Sequence, residues 1–387
     1  MIPVEDALAR LLSLAPTLDC EEVPLHQANG RVLAQSVKAQ RDQPPFAASA
    51  MDGYAVCDAS VGESLTVIAE SAAGHGFDGT VLPGQAVRIF TGAPLPKGAQ
   101  RVIIQEDIAR DGDRITLTTR EERSNIRPAG GDFRAGDAMQ APRRLGPADI
   151  ALLAAMNINR LYVTKRPDVA LISTGDELVM PGEMPKPDQI VVSNTFGLHA
   201  LLSDLGAAPR ILPIARDTAS SLSGTLALAQ EADLIITIGG ASVGDHDLVA
   251  DVAQKMGLER AFHKVSMRPG KPLMSGRIGR SMMIGLPGNP VSAMVCGHVF
   301  VAPVIRQMLG LPAPPESRLQ APLATPLPAN GPRAHYMRAR MENGLLHPFE
   351  KQDSSLLSIL SKANTLLIRP PFDKERTSGE SVEYMAI

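Results

Sequence analysis

Four stretches decide the fold: VALISTGDEL (169–178), DLIITIGGASVGDHD (233–247), FHKVSMRPGKP (262–272) and SMMIGLPGNPVSA (281–293). Each is an apolar run that ends in a turn rich in glycine, proline or charge. Helical patterns separate them. The spacing predicts strands at 168–173, 209–214, 233–238, 260–266 and 281–286, with helices at 195–205, 218–231, 246–256 and 290–309. This alternation signals an α/β domain built on a doubly wound parallel sheet. In such a sheet the carboxyl ends of the strands share one edge, and the ligand crevice lies along it. The four turns would then bring acids, bases, glycines and backbone N–H groups into one place, a composition suited to an oxyanionic or phosphorylated ligand held with a metal ion.

Each turn taken alone is also open to a plainer reading. Gly239, Gly240 and Gly244 surround Ser242 and precede Asp245, His246 and Asp247. Glycines let backbone N–H groups approach a phosphate, and Asp247 offers a hard oxygen to Mg²⁺. An acid capping the next helix accounts for the same residues equally well. Asp176 and Glu177 are adjacent acids past a strand, read either as caps or as one acid facing the crevice. Arg268 and Lys271 bracket a Pro-Gly turn, with Lys264 before them. They suit an oxyanion, or form a solvated basic turn. In LPGNPVS (286–292), Pro287 and Pro290 fix a rigid turn that leaves Ser292 free to donate to an anion; simple helix initiation, with Asn289 as cap, is the alternative. Four such turns on one edge favour a ligand over four coincidences.

Outward from this core the pattern changes. Residues 4–14 space Val4, Leu8, Leu11 and Leu12 as an amphipathic helix. Short β-branched runs between Gly/Pro turns fill 64–117, typical of a small β domain. GPADIALLAAMNI (146–158) reads as a helix with Pro147 in its first turn. Pro303 should kink or split the 290–309 helix. Six prolines between 312 and 328 read as a stiff linker, and short strand-like runs follow.

Bulk properties narrow the classes. A chain of 387 residues exceeds a typical single core. A net charge of −3 gives no general attraction to nucleic acid or anionic membrane. With no Trp, four Tyr and nine Phe, a stacking platform for single-stranded nucleic acid is disfavoured. Cys20, Cys57 and Cys296 are far apart and form neither a disulfide framework nor a zinc motif, which fits a reducing cytoplasm. The first residues lack the pattern of a signal peptide, and the unbroken apolar stretches fall short of a membrane span.

The ordered set SAMDGYAV (49–56), TGAPLPKGAQRVIIQED (91–107), IRPAGGDFRAGD (126–137), STGDEL, GGASVGDHD, MRPGKP and GLPGNPVSA resembles the molybdopterin molybdotransferase family, which includes bacterial MoeA and the E domain of gephyrin. The resemblance spans essentially the whole chain. It implies a discontinuous elongated domain (1–45 and 128–166), an inserted β domain (46–127), a central molybdopterin-binding α/β domain (167–311) and a C-terminal β domain (312–387). It also implies an elongated homodimer that takes adenylylated molybdopterin and molybdate, requires Mg²⁺, inserts molybdenum at the dithiolene and releases AMP. Molybdopterin adenylyltransferase and acceptor molybdoenzymes are the macromolecular partners it suggests, with no nucleic acid and no membrane.

Matched to the family's motifs, the implied catalytic residues are Asp52, Thr91, Asp132, Glu177, Asp217, Asp247 and Lys264. Gly240, Ser242, Gly244, Arg268, Lys271, Pro287, Pro290 and Ser292 fill the substrate positions, and Asp247 with Glu177 the metal positions. The chain departs from the pattern at Ala241, at Arg268 where some members have Lys, at GGDF (130–133) and most of all over 352–371. A non-catalytic scaffold and a molybdopterin adenylyltransferase are the competing functions. The acids at 52, 177 and 247 argue against the first, and the flanking domains against the second.

Overall fold

The computed structural model describes residues 1–119, 122–240, 248–312 and 318–387. They form two compact units. One comprises residues 1–21, 30–34 and 163–387; the other comprises 22–29 and 35–162.

The first unit is organised by a six-stranded sheet in the order Ala208–Ile211, Asp168–Ser173, Leu234–Ile238, Ser281–Leu286, Met274–Ile278, Glu259–His263. The first four strands are parallel. The inner three, Asp168–Ser173, Leu234–Ile238 and Ser281–Leu286, are apolar runs buried on both faces, as parallel strands under helices must be, while the edge strand Ala208–Ile211 is only partly covered. On one face Val169, Leu171, Ile236 and Ile284 pack with Leu198, Leu202, Val295 and Phe300. On the other, Ala170, Ile172, Ile235 and Met283 pack with Leu222, Leu226, Val249 and Val252. Helices therefore cover both sides: Asn194–Leu205 and the helical run from Pro290 on one, Ala219–Ala227 and Leu248–Lys255 on the other.

Two corrections concern the far side of this sheet. The strand expected at 260–266 is Glu259–His263, and it has no parallel neighbour. A strand not read in the sequence, Met274–Ile278, pairs antiparallel with both Glu259–His263 and Ser281–Leu286. Its sequence, MSGRI, has a glycine and an arginine at its centre and little β-propensity. The glycine is required, because a Cβ at Gly276 would lie 2.4 Å from the Glu259 carbonyl oxygen across the pair. Two antiparallel steps return Glu259–His263 to the direction of the parallel strands, so the 264–273 connection still emerges at their carboxyl edge.

The helix from Pro290 runs as Pro290–Cys296, a π turn at Gly297–Val301, then Ala302–Met308. Pro303 lacks an N–H and its ring crowds the preceding turn; widening the helix by one residue just ahead of it relieves that crowding. The whole stretch 290–308 is long and apolar enough to cross a membrane, contrary to the reading of short apolar runs, but 78 % of it is buried inside the protein.

A second sheet of this unit runs Met267–Arg268, Ala334–Glu342, Thr365–Arg369, Ser381–Ala386, Leu319–Pro322, with Leu345–Pro348 also paired to Ala334–Glu342. Leu319–Pro322 lies within the proline-rich stretch read as a linker. It is an edge strand, the place where a sheet accepts a proline. Met267–Arg268 pairs with Ala334 and His335, so the basic turn of the central domain is itself a strand of this sheet.

The other unit holds the sheet Arg101–Ile104, Gly53–Val56, Gln85–Ile89, Ser64–Ser71, Arg114–Leu117, Ile108–Asp111. The expected small β domain is present, with Gly53–Val56 of the MDGYAV tract as a fully buried inner strand. Tyr54, Val56, Leu65, Ile103 and Ile115 form one of its cores. The helix expected near 146–158 is Pro147–Ala155, and the Gly146 N–H donates to Asp149 Oδ2 at 2.9 Å.

Candidate active site

A cavity of about 750 Å³ lies at the carboxyl edge of the parallel strands. Of the residues singled out in the sequence, Glu177, Asp217, Gly240, Pro287, Pro290 and Ser292 line it. Each is carried there by its own strand. Asp168–Ser173 leads into Thr174 and Glu177; Ala208–Ile211 leads to Asp217; Leu234–Ile238 leads to Gly239 and Gly240; Ser281–Leu286 leads to the PGNP turn. Pro272, at the end of the 264–273 connection, lines the same space.

The two acids are held by one clasp. Arg216 Nη1 donates to the carbonyls of Gly175 (3.3 Å), Asp176 (3.2 Å) and Leu178 (3.0 Å). The Asp217 N–H donates to Asp176 Oδ1 at 3.1 Å. Asp176 is therefore the structural acid of the pair, and Glu177 is the one presented to the cavity. Among the described residues no three His, Cys, Asp or Glu side chains converge as a metal cage. Glu177 and Asp217 on one cavity wall do match the donor set Mg²⁺ takes when substrate phosphates supply the rest: one or two carboxylates.

The PGNP turn is fixed from two sides. Asn194 Nδ2 donates to the Gly288 carbonyl at 2.7 Å. Asn289, expected to cap the helix through its side chain, makes no such bond; its Nδ2 reaches Ser354 Oγ at 3.1 Å. The Val291 N–H donates to the Ser354 carbonyl at 3.0 Å. The cap is thus supplied by a distant segment, 351–355, which no local pattern at Asn289 could announce. Ser292 is buried (4 % exposed) and faces the cavity.

That docked segment also reveals a residue the sequence reading missed. Arg338 is wholly buried. Its Nη2 donates to the carbonyls of Asp353 (3.0 Å) and Lys351 (3.5 Å), while Nε and Nη1 have no partner among the described residues. Burial lowers its pKa, Asp353 opposes that, and the nearby Arg268 charge adds to it. Arg338 lines neither this cavity nor the one lined by Arg268, so these nitrogens are spare donors beside the site and not a formed anion seat. No local pattern announced it, because Arg338 shares its register with the exposed charges Arg340 and Glu342 on the same strand.

Arg268 itself is exposed. It lines a second cavity of about 520 Å³ with His335, Met337, Phe349, Gln352 and Arg369, not the first cavity. His335 is pushed down to about 3 by burial first and then by Arg268, Arg338, Arg369 and Arg333, so it is neutral at ordinary pH. Lys264 and Lys271 belong to the same connection, where the Lys264 N–H donates to the Leu273 carbonyl and the Lys271 carbonyl accepts from Val265. Neither lysine lines either cavity.

The remaining residues belong to the other unit. Asp52 Oδ1 accepts from the Thr91 N–H (2.7 Å) and from Thr91 Oγ1 (2.8 Å). The Thr91 N–H, then its hydroxyl, and the Arg88 charge hold this carboxyl below its ordinary range against a small burial effect. Asp132 is exposed, and its N–H donates to the Gln43 carbonyl at 2.9 Å. Ser242, Gly244 and Asp247 lie outside the described residues.

A parallel α/β unit with acids and a serine-bearing helix start lining a cavity at its carboxyl edge defines a ligand-binding α/β domain of the open-sheet class. Comparison with known proteins narrows that class. Residues 2–157 match the model for the MoeA N-terminal region (domain I and II), residues 170–307 that for a probable molybdopterin binding domain, and residues 320–387 that for the MoeA C-terminal region (domain IV). The chain is 36 % identical over 380 residues to molybdopterin molybdenumtransferase 2 of Mycobacterium tuberculosis, covering 93 % of each. It is 39 % identical over 328 residues to molybdopterin molybdenumtransferase of Nostoc, covering 80 % of this chain and 75 % of that one. The crystal structure of the molybdopterin biosynthesis MoeA protein from Pyrococcus horikoshii superimposes with a TM-score of 0.84 at 30 % identity, covering 100 % of this chain and 99 % of that one. The chain belongs to the MoeA family.

Proposed function

We propose that this protein transfers molybdenum from molybdate to adenylylated molybdopterin and releases AMP, as a cytoplasmic homodimer that depends on Mg²⁺. The observation that carries the reading is the cavity in which Glu177 and Asp217 share one space with Ser292 and the PGNP turn. The names of its relatives and its full set of MoeA domains support the same activity.

Each group has a task. Glu177 and Asp217, with Asp247, would hold Mg²⁺, which neutralises phosphate charge and polarises the anhydride as a Lewis acid when bound. The Ser292 hydroxyl at the helix start donates to ligand oxygens. Molybdate is a tetrahedral dianion, and Arg268, on the second cavity, is the charge-assisted donor this reading offers it, with Lys271 and Arg338 close by but lining neither cavity. Asp52 and Thr91 form a ready-made ionised acid with a bound hydroxyl, and Asp132 and Lys264 complete the site residues of this reading. The four-part division at 45/46, 127/128, 166/167 and 311/312 is part of the same proposal.

Purified protein incubated with adenylylated molybdopterin, Mg²⁺ and molybdate tests it. Molybdate-dependent AMP release with molybdenum bound to the pterin is the expected result. Binding without turnover would point to a scaffold. Formation of adenylylated molybdopterin from ATP would point to an adenylyltransferase.

A further inference from the structure

Asp52 stands on an exposed turn, where a carboxylate should wander. The structure around it does not allow that. Gly53 starts an inner strand, and a Cβ there would lie 1.9 Å from the Ile103 carbonyl oxygen, so the chain at 53 is pressed against its neighbour. On the other neighbouring strand, Tyr54 lies directly opposite Arg88. The Arg88 guanidinium stacks on two rings, 5.1 Å from the centroid of Tyr54 and 4.7 Å from that of Phe90. Its Nη1 donates to the Gly53 carbonyl at 3.1 Å, and its Nη2 to Gln105 Oε1 at 2.8 Å. The Gln105 N–H in turn donates to the Asp52 carbonyl at 3.1 Å. A closed loop of contacts results, from Asp52 through Gln105 and Arg88 back to Gly53.

The choice of partners is informative. Glu70 sits beside Arg88 in register on the parallel neighbour strand, yet no ion pair joins them among the described residues. An arginine seeking only a surface salt bridge would turn to that carboxylate, for little gain. Arg88 instead spends its planar fork on the turn that carries Asp52. A planar fork lying over two rings fixes direction in a way an ammonium cannot.

We propose that Arg88 is the positioning residue of Asp52: lying over Tyr54 and Phe90, it fixes the 52–53 main chain through Gly53 and Gln105 and so aims the Asp52 carboxylate held by Thr91. The proposal rests on the reading of Asp52 as an active-site acid. It assigns no contact with substrate to Arg88.

The test is a double-mutant cycle on AMP release by the full-length protein, with Arg88→Met, Arg88→Lys, Gln105→Ala, Asp52→Asn and Arg88→Met combined with Asp52→Asn. Misplacing a reacting group by ~1 Å can cost about 100-fold, so Arg88→Met should lower kcat by roughly 10- to 100-fold, with half-saturating molybdate unchanged. Arg88→Lys should restore little, because charge alone does not replace the fork. Gln105→Ala, at an exposed position, should show a smaller loss in the same sense and keeps the test alive if Arg88→Met fails to fold. In the Asp52→Asn background Arg88→Met should cost nothing further, since its effect passes through that carboxylate. If the two losses multiply, or if Arg88→Met and Gln105→Ala leave kcat intact while Asp52→Asn lowers it, the positioning role is wrong. If Asp52→Asn itself retains full activity, the reading of Asp52 falls first and takes this role with it.

Discussion

Replacing Arg338 by methionine should weaken molybdate use while leaving the ligand-free protein as stable as before. The side chain is 0 % exposed and makes hydrogen bonds through one nitrogen only, to two carbonyls at 3.0 and 3.5 Å. Losing those bonds costs the free protein about 1–3 kcal/mol. Against this stands a buried charge without a carboxylate partner, whose desolvation costs several kcal/mol. Methionine fills a similar volume without that charge, so the urea midpoint without ligand should be unchanged or raised. Binding moves the other way. The unused Nε and Nη1 would give an oxyanion charge-assisted hydrogen bonds contributing ~1.5–3 kcal/mol. At ~1.4 kcal/mol per decade, half-saturating molybdate should rise roughly 10- to 150-fold. The assay is AMP release against molybdate concentration, paired with urea unfolding of the same preparations. Unchanged half-saturation would falsify the oxyanion role. A large loss of stability with normal molybdate dependence would make Arg338 a structural clasp for segment 351–355.

Other outcomes follow from the same geometry. Asp217→Asn keeps the N–H that bonds Asp176 but removes a charge from the cavity wall; the Mg²⁺ concentration for half-maximal AMP release should rise about tenfold, and an unmoved Mg²⁺ curve counts against the acid pair as a metal seat. Ser292→Ala deletes one buried donor, and affinity for adenylylated molybdopterin measured by calorimetry should fall by ~1–2 kcal/mol; equal affinity would return Ser292 to plain helix initiation. Asp373 is buried between Arg369 and Arg376, and Asp373→Ala should lower stability by about 3–5 kcal/mol by stranding the 3 %-exposed Arg369. Burial alone would raise the Asp373 pKa, but hydrogen bonds and charge from Arg376 and Arg369 outweigh it and hold the carboxyl below its ordinary value. A depressed carboxyl stabilises the fold above the unfolded pKa of about 3.9 and loses that contribution as pH falls through the folded value. The gap in melting temperature between wild type and Asp373→Ala should therefore be constant from pH 6 to 8 and narrow below about pH 4; a gap that widens in acid contradicts the assignment.

The parallel strands were legible because burial on both faces writes itself as continuous apolar runs, as in Leu234–Ile238 and Ser281–Leu286. Met274–Ile278 was not, because Gly276 answers to a neighbouring backbone and leaves Ile278, at the strand's end, as its one β-branched residue. The PGNP turn was legible as a helix start, but its partner Ser354 is 65 residues away in the sequence. Arg338 escaped for a related reason: its importance lies in what it fails to pair with, which only a folded environment defines. Proximity of Glu177 to Asp217 depended on the strand order, in which Ala208–Ile211 lies beside Asp168–Ser173. Motif resemblance named both among the catalytic residues but paired Glu177 with Asp247.

The strand order has one more consequence, for how a ligand lies. Read across the carboxyl edge, the loops come as Asp217, Glu177, Gly240, the PGNP turn, and then, past the inserted antiparallel strand, the Lys264–Lys271 connection. Neighbouring strands stand about 4.8 Å apart, so the six span roughly 24 Å. Asp217 and Glu177 stand toward one end of that ruler, and the Lys264–Lys271 connection stands at the other. For the reaction proposed above, the anhydride would head toward the acids and the tetrahedral dianion toward the bases. The extra strand adds one spacing, so that two, about 10 Å, separate the serine-bearing turn from the lysines. In the proposed reaction that would keep the two anionic ends from sharing one seat.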